Sequence, residues 1–386
     1  MSDKNEKDKQ NLSRRSVLRT ATILAVTPCL INAFSSTAIA EEKKKNCLDM
    51  PLLTKKRTLG SGKFSMNVSA IGFGVMGANY HRGISPDKNK MIELIRQAAE
   101  HGVTLFDTAQ IYGPLTNEEL VGEALAPYKG KVAITTKFGH SIINGVYQTG
   151  KLNSRPDNIR KVAETSLKRL RIDNIELFYQ HRFDPEVPIE VVAGTVKDLI
   201  HEGKVQRFGL CEVGPETIRR AHAEQPITAI QSEYHLMWRE PEKDIFPVLK
   251  ELGIGFVPYS PLNRGLLGGD MTAYTRFDSG NDNRNTLPRF MPNALGKNLM
   301  FMEILNRFAR PRGITGAQVA LGWLLQNDWI VPIPGTTKLS HLEENIRAAN
   351  VLITPTEWKE LDEALSKVEI VGERYPAEQQ KQVHKS

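Results

Sequence analysis

The stretch "LFDTAQIYG" (residues 105–113) begins as a strand buried on both faces, then sets a carboxylate, Asp107, and a phenol, Tyr112, where the apolar run stops. One architecture gives a reason for polar groups at such a place. When parallel strands close into a barrel, the side chains at their C-terminal ends gather on a single rim, and barrel chemistry is built there. Seven other runs have the same character: "SAIGFGVM" (69–76), "VAITTKF" (132–138), "IELFYQHR" (175–182), "VQRFGLCEV" (205–213), "ITAIQSEYH" (227–235), "GFVPYSPL" (255–262) and "IVPIPGT" (330–336).

Helical patterns lie between these runs. In 189–200 the apolar positions are Ile189, Val192, Ala193, Val196, Leu199 and Ile200, one face at helical spacing. In 159–170 the face is Ile159, Val162, Ala163, Leu167 and Leu170. Pro156 and Pro215 stand where helices begin, and Gly102, Gly203 and Gly253 where they end. Parallel strands buried on both sides need crossover helices, and the alternation supplies them. Eight such units predict an α/β fold, a (β/α)8 TIM barrel over residues 59–365, rather than an open doubly wound sheet. "GFGVMG" (72–77) looks like a GxGxxG turn, but it precedes a long loop instead of opening a helix, so it is not a dinucleotide fingerprint.

With 386 residues, 40% hydrophobic and 25% charged, the chain has ordinary globular composition. Its formal charge is +7, of which residues 1–40, with six Lys/Arg against three Asp/Glu, contribute +3 and leave +4 for the rest. No long basic run with interleaved aromatics appears, which argues against nucleic-acid binding. Cys29, Cys47 and Cys211 and the nine histidines show no metal-ligand spacing, so no metal site is expected.

Residues 11–40, "NLSRRSVLRTATILAVTPCLINAFSSTAIA", have a charged start, an apolar middle and a small-residue ending, the organisation of a signal peptide. "SRRSVLR" (13–19) resembles a twin-arginine export signal. This implies transient contact with the twin-arginine machinery and a periplasmic or exported protein, or a cytoplasmic one if the leader does not function. Thr27-Pro28 and Asn32 interrupt the apolar part, so no stable membrane span is expected. A linker over 41–58, a lid loop over 263–297 and a C-terminal tail over 366–386 complete the expected organisation.

Four ionisable residues end or follow three successive strands: Asp107 and Tyr112, Lys137 in "TTKFG", and His181 in "YQHR". Each alone has an ordinary structural reading; together they fit carbonyl reduction. A hydride arriving at carbonyl carbon leaves charge on oxygen that must be protonated or stabilised. Tyrosine, with a pKa of about 10, is a poor acid at neutral pH, and an adjacent ammonium lowers that value. Lys137 is expected to do so, with Asp107 fixing the lysine and neutral His181 orienting the carbonyl oxygen toward Tyr112.

"FDTAQIYG", "TTKFG" and "YQHR" resemble the strand-end motifs of the aldo-keto reductases, and the resemblance runs from about Leu59 to Leu365. It implies that Asp107, Tyr112, Lys137 and His181 are the catalytic residues, with Tyr112 the general acid acting on a small carbonyl substrate. It also implies NADP(H), bound across the barrel mouth. Tyr259 would stack on the nicotinamide and Gln231 would hold its carboxamide, with Gly74, Met76, Cys211 and Glu212 nearby. Relatives usually show Ser where Cys211 stands. The loop containing Ser260, Leu262, Arg264 and Gly265 would wrap the pyrophosphate. Gly335, Thr336, Thr337, Lys338, His341, Glu344 and Asn345 would take the adenosine 2′-phosphate and adenine. A competing reading is a nicotinamide-nucleotide-binding auxiliary subunit with little turnover, as related barrels serve potassium channels. A hydrolase fits poorly, because no second carboxylate pairs with Asp107 on the rim.

Overall fold

The protein is described here from a computed structural model covering residues 51–381 and 383, apart from residue 279. The leader, Cys47 and residues 41–50 of the expected linker lie outside the described residues. The remainder of that linker is folded: Leu53 is buried, and its N–H donates to the His101 carbonyl at 2.8 Å. An antiparallel hairpin follows, β1 (Lys56–Leu59) and β2 (Met66–Ser69), in register from Lys56–Ser69 to Leu59–Met66. The barrel unit therefore starts before residue 59, because an apolar hairpin face is needed to close one end of the barrel.

Seven staves form one sheet in the order β3 (Phe73–Gly74), β4 (Leu105–Asp107), β5 (Ala133–Phe138), β8 (Leu177–Gln180), β9 (Phe208–Cys211), β10 (Ile227–Glu233) and β11 (Gly255–Tyr259). All neighbouring pairs are parallel. Each stave falls inside one of the runs read from the sequence. Residues 330–334 carry the eighth. Val331 and Ile333 donate their N–H groups to the carbonyls of Phe256 (2.9 Å) and Pro258 (3.2 Å), while the carbonyls of Pro332 and Pro334 accept from Gly72 (2.9 Å) and Gly74 (3.2 Å). The two prolines alternate with the donating residues, so their missing N–H groups fall only on the β3 side. The sheet thus closes into a (β/α)8 barrel.

The barrel interior is packed. Leu59, Met66 and Val68 of the hairpin meet Leu105, Leu177, Tyr179, Cys211, Ala229, Val257, Val331 and Ile333. Gly209 is required there, since a Cβ at that position would fall 2.4 Å from the Tyr179 ring on the adjacent stave. The hairpin turn is tied to the bases of β9 and β10: the Ser65 carbonyl accepts from Arg207 Nε (2.9 Å) and the Phe64 carbonyl from Thr228 Oγ1 (2.8 Å). With one end plugged, only the opposite rim is left for chemistry.

Pro156 and Pro215 open the helices Pro156–Leu170 and Pro215–Glu224, and Gly253 ends Pro241–Leu252 in the left-handed region at φ 65°. Two features above the rim depart from simple loops. Residues 140–152 form a hairpin, β6 (His140–Ile143) and β7 (Val146–Leu152), turning at Asn144-Gly145. The expected lid is strapped to the loop after the first stave: Asn281 Nδ2 donates to the Gly83 carbonyl (2.7 Å), and Arg82 Nη1 to Asn283 Oδ1 (2.8 Å). Among the described residues, no helix is long and apolar enough to cross a membrane.

Candidate active site

Asp107 is the last residue of β4, and Lys137 the penultimate residue of β5, directly beside it. The Lys137 ammonium is fully buried and donates to Asp107 Oδ1 at 2.5 Å and to the Thr108 carbonyl at 2.8 Å. Asp107 Oδ2 accepts from Thr135 Oγ1 (2.8 Å) and Gln231 Nε2 (2.9 Å). Four hydrogen bonds thus hold this carboxylate and lysine in one arrangement, which offsets the cost of burying both charges. Gln231, expected on a carboxamide, here orders the carboxylate.

Lys137 Nζ lies 5.4 Å from the centroid of the Tyr112 ring, and the His181 ring stands edge-on to Tyr112 at 5.8 Å. All four sequence-predicted residues therefore converge. The electrostatics differ from expectation in one respect. Burial raises the Tyr112 pKa above its ordinary value, and this outweighs the downward pull of Lys137. Sequence reasoning weighed the ammonium but had no measure of burial. For Lys137, burial alone would lower the pKa, but Asp107 and Tyr112 raise it on balance. Burial, with His140, Lys137 and Arg182 nearby, drives His181 well below the ordinary histidine value. At neutral pH the site holds an ammonium, a protonated phenol and a neutral imidazole.

The sign of the pH dependence follows. His181 stays neutral as pH falls through its ordinary value of about 6.5, and Tyr112 keeps its proton as pH rises to its ordinary value of about 10. If these two groups serve carbonyl reduction, kcat/KM for an aldehyde is expected to be flat between those limits. An acid limb centred near pH 6.5 in the pH–rate profile would contradict this.

The expected cofactor residues form two groups. Around the seventh stave, Ser260, Asn263, Arg264 and Gly265 all have positive φ (50°, 46°, 53° and 98°), bending the loop tightly from Leu262 onward. Cys211 is a buried free thiol inside the barrel, with its pKa pushed up to about 12 by burial. Arg264 is buried and forks onto Glu233, at 2.6 and 2.7 Å. Glu212 and the Tyr259 hydroxyl are engaged by the chain's own C-terminal segment. Arg374 donates to Glu233 Oε2 (2.8 Å), to both Glu212 oxygens and to the Tyr259 hydroxyl (2.7 Å), and the Tyr375 hydroxyl lies 2.7 Å from that of Tyr259. The segment read as a tail thus reaches the rim.

The second group lies after the eighth stave. Gly74 and Gly335 approach so closely that a Cβ on Gly335 would sit 2.5 Å from the Gly74 carbonyl oxygen, and Met76 opens a short turn beyond. Thr337 and Lys338 are exposed, while Asn345 is buried in the helix Leu339–Arg347 with Glu344. That helix has no side-chain N-cap, so its first N–H groups have no capping side chain. Lys338 and His341 both contact Asp270, at 3.1 and 3.4 Å, joining this group to the end of the 260–269 loop.

Sequence reasoning did not single out Glu233, Arg374, His140 or Arg182. Arg182 carried a signal, since it follows His181 directly at a stave end. His140 follows the β5 run by two residues, and its ring stands 4.9 Å from that of His181.

Comparison with known proteins agrees with this fold. The family model described as the aldo/keto reductase family matches residues 70–366. A probable aldo-keto reductase 1 of Glycine max is 42% identical over 316 residues, covering 81% of this chain and 90% of the relative. A glycerol dehydrogenase from Gluconobacter oxydans superposes with a TM-score of 0.73 at 29% identity, covering 81% of this chain and 96% of that one. An aldo/keto reductase from Klebsiella pneumoniae, solved in complex with NADP and acetate, shares the fold at a TM-score of 0.62 and 21% identity over 83% of this chain and 99% of that one. The chain belongs to the aldo/keto reductase family and is an oxidoreductase of that family.

Proposed function

We propose that the protein reduces aldehydes or ketones to alcohols at the expense of NADPH, with Tyr112 as the general acid. One observation carries the proposal: a buried ammonium locked by Asp107 and the Thr108 carbonyl, under a buried phenol that keeps its proton. When bound, the reduced dinucleotide supplies the hydride. The Tyr112 hydroxyl gives its proton to the substrate oxygen as negative charge develops there, and Lys137 stabilises the phenolate left behind. Neutral His181 orients the carbonyl, and Asp107 keeps Lys137 charged and in place.

The residues present fit a phosphorylated dinucleotide. The uncapped helix start with Lys338 suits the adenosine 2′-phosphate, which favours NADP(H) over NAD(H). The Lys338–Asp270 pair is mostly exposed, so displacing Asp270 costs no more than about 1 kcal/mol. The tightly bent 260–265 loop suits the pyrophosphate, and the Tyr259 ring offers a stacking face for the nicotinamide. A panel of aldehydes and ketones, with NADPH oxidation followed by absorbance, tests the reading. Saturable turnover of at least one carbonyl compound is expected, and NADPH binding without any turnover would favour the auxiliary-subunit role instead.

The leader supports a further part of the proposal: export by the twin-arginine route with the cofactor already bound, giving a periplasmic enzyme. Mature protein recovered from a periplasmic fraction without nucleotide would count against it.

A further inference from the structure

The C-terminal segment is held at the rim from two sides. On the lid side, the Val371 N–H donates to Asn298 Oδ1 (2.9 Å), and Asn298 Nδ2 donates back to the Val371 carbonyl (2.9 Å). Arg289 Nε donates to the Gly372 carbonyl at 3.2 Å. A Cβ on Gly372, where φ is 92°, would fall 2.8 Å from the Pro288 carbonyl, so the segment lies flat against the lid. On the stave side, Arg374 is engaged by Glu212, Glu233 and the Tyr259 hydroxyl. Glu212 itself has a left-handed backbone at φ 54°, which a non-glycine residue keeps only where its surroundings hold it. Between these two sets of contacts the position of the next residue, Tyr375, is fixed.

Tyr375 sits between Tyr259, the expected nicotinamide platform, and Arg264 of the expected pyrophosphate loop. Its hydroxyl lies 2.7 Å from that of Tyr259 and accepts from Arg264 Nη2 at 3.3 Å. The guanidinium groups of Arg374 and Arg264 stand 4.6 and 5.4 Å from its ring centroid and keep the ring in place. Arg264 and Arg374 are buried, whereas both phenols are only half-buried and keep part of their surface open. Counting protons along this chain leaves one over. Guanidinium groups only donate, so each phenol oxygen accepts from one arginine. The two phenols then bond each other through a single O–H, and among the described residues the second O–H has no acceptor. Arg374 reaches the Tyr259 oxygen at 2.7 Å, closer than Arg264 reaches that of Tyr375, and an oxygen accepting a strong charge-assisted bond becomes the better donor. Tyr259 therefore donates to Tyr375, and the Tyr375 O–H is the one left over.

We propose that Tyr375 is a cofactor-binding residue whose O–H donates to an oxygen in the nicotinamide–pyrophosphate half of the dinucleotide, while Arg374 acts as a positioning residue for the Tyr259 ring. This rests on the reading of the site as an NADP(H) reductase, which puts the nicotinamide on Tyr259 and the pyrophosphate against the 260–265 loop. A hydroxyl bonded to both neighbours lies beside that path. Holding the Tyr259 oxygen also stops the side chain from swinging about its Cα–Cβ bond, so the stacking face stays where it is. The C-terminal segment is then a wall of the nucleotide site and not a tail that the dinucleotide must push aside.

The test reads binding and needs no turnover. NADPH is titrated by its fluorescence, and adenosine 2′,5′-bisphosphate, which has neither nicotinamide nor pyrophosphate, by calorimetry. Tyr375→Phe keeps the ring and every ion pair of Glu212 and Glu233. It is expected to raise the Kd for NADPH about three- to tenfold and to leave that for the bisphosphate unchanged. In the wild-type protein NADPH, but not the bisphosphate, is expected to slow amide hydrogen exchange across residues 371–375. An unchanged or lower Kd for NADPH in the variant would overturn the proposal, as would equal weakening of both ligands, or exchange that NADPH fails to slow. The exchange measurement decides the matter alone if the variant does not fold. A wild-type protein that binds no NADPH at all is a different result, and it would remove the NADP(H) reading itself.

Discussion

Tyr112→Phe is expected to lower kcat/KM for carbonyl reduction by roughly 10²–10⁴-fold while leaving NADPH affinity near the wild-type value. The substitution removes one oxygen atom and keeps the ring, so the edge-on contact with His181 and the position over Lys137 survive. What is lost is the phenolic hydroxyl of the ring set over the buried ammonium. The developing alkoxide would then take its proton from water, without the stabilisation that Lys137 gives a tyrosinate. Stopped-flow fluorescence of bound NADPH together with steady-state kinetics separates the two effects. A variant that reduces aldehydes at the wild-type rate would remove Tyr112 from the mechanism.

Arg374→Met is expected to have the largest effect on stability. Glu212 and Glu233 are buried, and two arginines serve them. Removing Arg374 leaves Arg264 as the ion-pair partner of one carboxylate and none for the other. Breaking a buried pair from one side costs about 3–5 kcal/mol, because a charge is left without compensation. The arginines hold both glutamates below their ordinary pKa, against a burial effect that would raise them. Such groups stabilise the fold above the unfolded value, and that contribution is lost as pH falls through the folded one. The variant's freed carboxylate has a higher folded pKa and takes up a proton earlier. Its melting-temperature deficit should therefore be greatest at pH 7 and shrink toward the ordinary glutamate value of about 4.3. Equal melting temperatures at pH 7 would mean that the C-terminal segment does not hold this charge cluster together. A double variant with Glu212→Gln should recover part of the loss, since it removes the stranded charge.

The barrel was legible because its signal is periodic. Runs buried on both faces alternate with one-faced helices, and each of the seven ladder-forming staves lies within a run that the pattern marks. Three of the four rim residues were legible for a related reason: Asp107, Lys137 and His181 lie at or within one residue of stave ends, and backbone geometry brings stave ends together. Tyr112 needed the motif around it, since it sits in the following loop. The eighth stave was legible from its place in the order, although its prolines deny it a regular ladder.

What sequence hid was mostly distance and depth. Arg374 reaches Glu212 across 162 positions, and no local pattern announces such a contact. The depth at which Tyr112 is buried decides the direction of its pKa, and depth is a property of the assembled rim. Gln231 was assigned through the family resemblance alone, and no local pattern announces that its amide donates to Asp107 Oδ2 on another stave. The hairpin over 140–152 is a different case. Its Asn144-Gly145 pair is a strong turn signal that the sequence carries locally.

The most direct test of the account follows the hydride itself. The enzyme is supplied with NADPH carrying deuterium at C4 of the dihydronicotinamide, in separate reactions for each face, and an aldehyde that it turns over. Mass spectrometry of the alcohol then reports the label. The account predicts one deuterium on the carbinol carbon from one face only, and loss of that labelled product in Tyr112→Phe. Tight binding of the labelled nucleotide with no deuterium reaching any carbonyl compound would contradict it.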